Sequence, residues 1–277
     1  TEIYTLSLHD ALPISSPTLR AWRALRLGLH LLLGLLTIAL VFPFCGRTSH
    51  QRLRQRWSCG LLRTLGIRLE HEGEAVAPGC MLVANHISWV DIFVINALAP
   101  AAFVSKAEVR QWPAIGWLAA RNDTIFLRRG SRGHARIINM ETAALLETGC
   151  NVAIFPEGTT TDGSQVLHFH GALLQPAIAC KHPVQTLALR YQTADGRYTR
   201  APAYDGDLSL GQCVRNIIST PVIVARVCVA APLPTGDGTD RRELARLARS
   251  LIVAALELPA DAEQPRAAPA SGTQPGT

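Results

Sequence analysis

The chain has 277 residues, enough to bury a substantial core in one large domain or two small ones. Its net charge of +6 rests on arginine, because Lys106 and Lys181 are the only lysines, and such a basic surface suits anionic lipid or an acidic substrate; no nucleic-acid-binding signature accompanies it, so nucleic acid is not an expected partner. The seven cysteines are odd in number and scattered without a C-x-x-C pair, which argues against a zinc site or a disulfide framework and for reduced thiols in a cytosol-facing domain.

Residues 1–15 are read as a non-native or disordered leader. Back-translated, TLSLHDALPI (Thr5 to Ile14) matches one frame of a sequencing-adapter oligonucleotide, and removing the segment takes away Glu2 and Asp10, raising the charge to +8. Leu27 to Phe44 is an almost unbroken apolar run, about as short as a membrane-spanning helix can be. Arg20, Arg23 and Arg26 precede it, and Arg47, Arg52, Arg54 and Arg56 follow. With arginines on both flanks the positive-inside rule selects no orientation, and a segment that dips into one leaflet fits at least as well as a single span.

From His50 to Leu65 the residues Leu53, Trp57, Leu61 and Leu65 fall on one helical face, with Arg52, Arg56 and Arg63 outside it. This stripe either lies in the headgroup region of a bilayer or packs on the soluble domain; its neighbour, the apolar run, favours the bilayer. From Ile67 onward strands alternate with helices. Strands are expected at 80–84, 102–105, 123–127, 152–155, 184–190 and 221–229, and helices near 89–98, 112–120, 134–148 and 171–181. A last helix begins at Asp240, with Glu243 completing a capping box, and runs to about Leu258. The predicted organisation is a membrane-associated two-helix segment over 16–66, a main domain over 67–258 and a disordered tail over 259–277, rich in Pro, Ala, Gln and Gly. The fold class is α/β, a mostly parallel central sheet flanked by helices and preceded by the N-terminal helical hairpin.

Three constellations follow predicted strands, where ligands bind in α/β sheets. The first is Asn85-His86-Ile87-Ser88-Trp89-Val90-Asp91. A His in the turn before a helix and an Asp in its first turns form a base with an orienting carboxylate, which fixes the tautomer and favours the imidazolium. H-x-x-x-x-D by itself is more often structural. Ser88 is read as a helix-start residue, since no G-x-S-x-G elbow is present. The second constellation is Phe126-Leu127-Arg128-Arg129-Gly130, whose guanidiniums suit a phosphate. The third is Phe155-Pro156-Glu157-Gly158-Thr159, where Glu157 and Thr159 offer hydrogen bonds to a hydroxylated ligand and Gly158 permits close backbone approach; an ordinary turn is the plain alternative.

Taken together and in this order, NHISWVD, FLRR and FPEGT resemble the lysophospholipid (1-acylglycerol-3-phosphate) acyltransferase family of bacterial type, over about Arg20 to Leu258. The resemblance implies a membrane enzyme on the cytoplasmic face of the inner membrane. It would move an acyl group from acyl-CoA or acyl-carrier protein, as co-substrate and with no cofactor or metal, to a lysophospholipid acceptor, giving phosphatidic acid from 1-acyl-sn-glycerol-3-phosphate. It implies His86 as base supported by Asp91, Arg129 on the acceptor's phosphate with Arg128 and Lys106 near it, and Glu157, Gly158 and Thr159 at the acceptor. Backbone N–H groups at the start of the helix after His86 are expected to stabilise the oxyanion. The same chemistry on a lyso-aminolipid or on glycerol-3-phosphate, or an inactive lipid-binding protein, are the alternatives. The chain departs from the family pattern at Arg128, where an acidic or small polar residue is usual, and at Val184-Gln185-Thr186-Leu187, where a proline usually follows the valine.

Overall fold

The computed structural model describes residues 16–107, 124–127 and 132–259. The leader, the helix expected at 112–120, Arg128, Arg129 and the tail beyond residue 259 lie outside the described residues.

The chain opens with α1 (Pro17–Leu40), started by Ser16, whose hydroxyl accepts from the Leu19 N–H. After a 3-10 turn at Phe42–Phe44, α2 (Arg47–Leu65) runs back along it. The central elements follow as β1 (Ile67–Gly73), β2 (Met81–Ala84), α3 (Asp91–Leu98), β3 (Ala101–Lys106), β4 (Ile125–Leu127), α4 (Arg132–Glu147) and β5 (Asn151–Ile154). A 3-10 turn (Gly171–Leu174) leads into the short α5 (Gln175–Ala179), then β6 (Val184–Thr193), α6 (Leu210–Ser219), β7 (Ile223–Val229) and α7 (Arg241–Ala255).

The strands form one seven-stranded sheet in the order β1-β7-β6-β2-β5-β3-β4. All neighbours are parallel except β6 and β7, so β1 and β7 run against the other five. The mostly parallel sheet is therefore present, with a reversed flank. Its faces are apolar on both sides. One carries Leu82, Leu187, Leu189 and Val227 together with Leu61, Leu65 and Val94 from α2 and α3. The other carries Met81, Val83, Val152 and Ile154 against Leu244, Ala248 and Ile252 of α7.

Two elements escape the sequence reading. β1 is an edge strand with Ile67 buried but Arg68, Glu70 and Glu72 outward, so its apolar signal is thin. α6 sits in a stretch with no long apolar run, yet it holds the capping box, between Ser209 and Gln212. At α7 the expected box is half formed: the Asp240 carboxylate accepts from the Arg242 and Glu243 N–H groups, and that bond pair is the cap.

The hairpin corrects the reading of the α2 stripe. Leu61 and Leu65 are in the core, and Trp57 sits between His30 of α1, stacked at 4.8 Å, and Phe93 of α3 at 5.5 Å. Arg54 is buried and donates to the Ala101 carbonyl, while Gln55 donates to the Ala97 and Leu98 carbonyls. The stripe is turned onto the domain because α1 and α3 enclose it. α1 itself supplies the exposed apolar surface: Trp22, Leu25, Leu29, Leu32, Leu36 and Leu40 all face outward. Pro17–Phe44 is long and apolar enough to cross a membrane, with a mean hydropathy of 2.2 over its most apolar window. Its inner face is fixed by the paired bonds between His30 and Trp57, in which each ring meets the other residue's carbonyl. Gly34 makes that approach possible, since a Cβ there would fall 2.4 Å from the Trp57 Nε1. Gly34→Leu is accordingly expected to cost about 1–3 kcal/mol by overpacking and to free α1 for cleavage, measured by thermal melts and limited proteolysis.

Candidate active site

β2 ends at Ala84, between β6 on one side and β5 on the other, so the turn 85–90 emerges where β2 and β5 finish, while β6 continues beside it to Thr193. Asn85 pins this turn to β6: its side-chain amide donates to the Leu189 carbonyl and its oxygen accepts from the Leu189 N–H, continuing the ladder beyond the end of β2. The chain then turns into α3, which begins at Asp91 as the sequence spacing requires.

Asp91 is fully buried and collects four donors. Its Oδ2 accepts from the His86 Nδ1 at 2.9 Å, the Ile87 N–H at 2.7 Å and the Ser88 N–H at 2.9 Å, and its Oδ1 accepts from the Tyr191 hydroxyl at 2.7 Å. A carboxylate so buried is tolerable only because its lone pairs are satisfied. Its place in the first turn of α3 adds a favourable interaction with the helix dipole. Two backbone donors on Oδ2 identify it as an acceptor, so His86 Nδ1 carries the proton and Nε2 is left as the basic nitrogen. Among the described residues Nε2 has no hydrogen-bond partner, and the side chain keeps 20% of its surface exposed. One face of the ring stacks on Phe155, with centroids 3.9 Å apart and planes 11° from parallel.

β5 lies beside β2, so Phe155-Pro156-Glu157-Gly158-Thr159 leaves the sheet next to His86. Gly158 closes the turn with a φ of +71°, which favours glycine, and Thr159 is exposed. Glu157 does not face outward. It is 5% exposed, its Oε1 accepts from the His86 N–H and its Oε2 from the Leu167 N–H, both at 2.8 Å. The expectation that it offers hydrogen bonds to a ligand thus meets a carboxyl already engaged on both oxygens. Burial pushes its pKa up to about 7 against the pull of those two bonds, with the Asp91 charge adding to the rise. The Thr161 N–H donates to the His86 carbonyl, so the loop grips residue 86 at both its backbone groups.

In the turn after His86 the first backbone donors are engaged. The Ile87 and Ser88 N–H groups point at Asp91 and the Val90 N–H at the Ser88 hydroxyl, so the oxyanion role expected of this turn is not available to them. Ser88 is fully buried and part of this wiring, in keeping with its reading as a helix-start residue. Lys106 ends β3, and β4 leads toward Arg128 and Arg129, which lie outside the described residues. Among the described residues no group of three His, Cys, Asp or Glu side chains is placed to hold a metal.

Tyr191 was not singled out from the sequence, although Leu187, Leu189 and Tyr191 alternate along one face of β6. Burial first, then the adjacent Asp91 charge, drive its phenol pKa well upward, so it remains a donor. At the far end of β6, Gln185 occupies the position where the family pattern has proline. Its buried amide bridges the Ala77 N–H and the carbonyls of Ala75 and Ala230, so this departure lies at the opposite end of the strand from His86.

The family model described as "Acyltransferase" matches residues 68–190, from β1 to near the end of β6. The chain is 40% identical over 206 residues to the lyso-ornithine lipid O-acyltransferase of Pseudomonas aeruginosa, covering 74% of this chain and 79% of that one. It is 35% identical over 187 residues to the 1-acyl-sn-glycerol-3-phosphate acyltransferase of Neisseria meningitidis, covering 67% and 73%. The crystal structure of the 1-acyl-sn-glycerophosphate (LPA) acyltransferase PlsC from Thermotoga maritima shares the fold, with a TM-score of 0.63 at 22% identity over 86% of this chain and 96% of that one.

Two outcomes are expected of this wiring. Tyr191→Phe leaves Asp91 Oδ1 without its donor and is expected to cost about 1–3 kcal/mol in chemical denaturation. Glu157, with a folded pKa raised from 4.5 to about 7, is neutral in both states at low pH and charged at a cost in the folded state at high pH. Stability is therefore expected to fall as pH rises through that window, by up to about 3 kcal/mol. Glu157→Gln is expected to lose this dependence, read from unfolding midpoints across the same pH range.

Proposed function

The chain belongs to the acyltransferase family, and on that premise we propose that it moves a fatty acyl group from acyl-CoA or acyl-carrier protein to the free hydroxyl of 1-acyl-sn-glycerol-3-phosphate, giving phosphatidic acid in phospholipid biosynthesis. The observation that carries the reading is a His86 ring whose Nδ1 is held by buried Asp91 and whose Nε2 has no hydrogen-bond partner among the described residues. In the proposed reaction Nε2 takes the proton of the acceptor hydroxyl as that oxygen attacks the thioester carbonyl. The tetrahedral intermediate collapses, the C–S bond breaks, and the imidazolium returns the proton to the departing thiolate. Asp91 stabilises the imidazolium, and no acyl-enzyme is formed. Phe155 and the Asp91 bond hold the ring in one orientation, so little reorganisation is needed at the moment of transfer. Glu157 acts through the main chain, by fixing residue 86 to the 157–167 loop. Arg129, with Arg128 and Lys106, is proposed to hold the acceptor's phosphate, and Gly158 and Thr159 to border the acceptor.

A lyso-aminolipid such as lyso-ornithine lipid is a second acceptor reading, favoured by the 40% identity to the Pseudomonas aeruginosa enzyme. Membrane association follows from the exposed apolar α1 and from relatives named for membrane-lipid substrates. Because α1 is fastened to α2, and α2 to the domain, we read the hairpin as monotopic, with α1 lying in one leaflet. The proposed location is the cytoplasmic face of the bacterial inner membrane, where free cysteines stay reduced.

Replacing His86 with Ala is expected to lower acyl transfer about 10²–10⁴-fold; activity within a few-fold of wild type would sink the mechanism. An assay pairing acyl-CoA and acyl-carrier-protein donors with lysophosphatidic acid and lyso-ornithine lipid separates the acceptors, and Arg129→Ala is expected to raise KM only for the phosphate-bearing one. For the membrane, Leu32→Asp with Leu36→Asp is expected to move the protein into the soluble fraction, whereas a high-salt wash leaves the wild type bound.

A further inference from the structure

On the face of the sheet that α7 covers, a groove of about 430 Å³ runs between that helix and the loop 166–170. Its walls are His168, Arg242, Arg246 and Arg249, and its apolar floor is Phe169 and Ala245, both buried. Arg242 and Arg246 stand one helical turn apart and are exposed. Two acids lie near it: Glu243, whose carboxylate is 3.8 Å from Arg246 at a solvent-exposed position, and Asp240, which caps α7 beside Arg242; against three arginines they leave the groove basic.

The third arginine connects this groove to the reaction centre. Arg249 donates from Nε and Nη2 to the Val166 carbonyl, at 3.1 and 2.8 Å, and from Nε to the Leu167 carbonyl at 3.1 Å. The Leu167 N–H donates to Glu157, and Glu157 accepts from the His86 N–H. Arg249, in the wall of the groove, is thus three hydrogen bonds from the backbone of His86.

The proposed reaction brings together two phosphate-bearing substrates. The acceptor's phosphate is assigned to the arginines that follow β4, and β4 is separated from β6, on which α7 packs, by β2, β5 and β3. The donor carries its acyl thioester at one end of a phosphopantetheine arm and phosphate at the other. We infer that the His168–Arg242–Arg246 groove takes the phosphate end of the thioester donor, with the arm leading along the 157–167 loop to His86. This rests on the acyl-transfer reading. The shared chemistry is a phosphate ester, supplied either by coenzyme A or by the arm of a holo carrier protein. Guanidiniums bind such a group through charge-assisted hydrogen bonds.

The test is equilibrium binding to the full-length protein in detergent, without turnover. Coenzyme A is compared with pantetheine, which lacks the phosphates, and holo carrier protein with its apo form. Coenzyme A or holo carrier protein is expected to bind at least about ten-fold more tightly than its partner probe, the equivalent of one charge-assisted contact. R242A/R246A is expected to remove most of that preference, and R242K/R246K to keep most of it. Both side chains are exposed, so the unfolding midpoint should not move. A loss confined to coenzyme A or to the carrier protein identifies the source, and either result supports the assignment. A wild type that prefers neither phosphate-bearing probe, or a preference retained in R242A/R246A, overturns it. So does a double variant that weakens lysophosphatidic acid binding instead. Failure of the wild type to transfer acyl groups would defeat the acyltransferase reading separately, because the binding comparison needs no turnover.

Discussion

A carboxylate with no exposed surface is costly to bury, by several kcal/mol if left unmatched, and the central part of this protein is arranged around matching one. Asp91 draws donors from its own turn, from the His86 ring and from Tyr191 on the neighbouring strand β6. The demand shapes the chain around it. The Ile87 and Ser88 N–H groups must converge on one oxygen, so 85–90 is a tight turn rather than the first turn of a longer helix. The Asn85 clamp on Leu189 keeps β6 in place past the end of β2, which brings Tyr191 within reach. Removing any one of these contacts leaves a buried charge partly unsatisfied, so the group is better regarded as a unit than as a pair with accessories.

The second carboxylate near His86 behaves differently. Glu157 accepts two backbone bonds at nearly ideal distance, yet burial holds its pKa close to neutrality. Burial thus raises Glu157 toward its neutral form, while Asp91 gathers four donors on its two oxygens. Two acids bracket one histidine, one holding the ring and the other the backbone, and their surroundings give them separate tasks.

How much of this was legible in the sequence follows from the range of each interaction. The His86–Asp91 spacing, the strand before it and a helix near 89–98 with Asp91 in its first turns are local, and they were readable. So were β5, α7 and most strand positions, because buried parallel strands show as continuous apolar runs. Tyr191 was not, since its bond to Asp91 spans 100 residues and exists only because β6 pairs with β2. Glu157 was noticed for the right motif and given an outward role, because a sequence does not tell whether a carboxyl beside a glycine turn points to solvent or to a backbone N–H. The α2 stripe was read correctly as apolar on one face, but which surface covers a stripe is a tertiary matter. β1 offers little contrast, as an edge strand half made of charges, whereas α6 did carry a legible signal in its Ser209–Gln212 capping box and amphipathic face.

The latch at the foot of α1 bears on the order in which the molecule is made. Arg23 is buried and donates to the carbonyls of Ile218, Thr220 and Pro221, the Pro221 partner lying 198 residues further along the chain. A ribosome delivers α1 first and the partners of Arg23 near the end, at about 5–20 residues per second, so the guanidinium spends many seconds without the carbonyls it will bind. During that interval the partner at hand is α2, the next element made, which α1 meets through His30 and Trp57. The hairpin can therefore form as soon as α2 is made, and the Arg23 bonds fasten it to the last third of the chain only at the end.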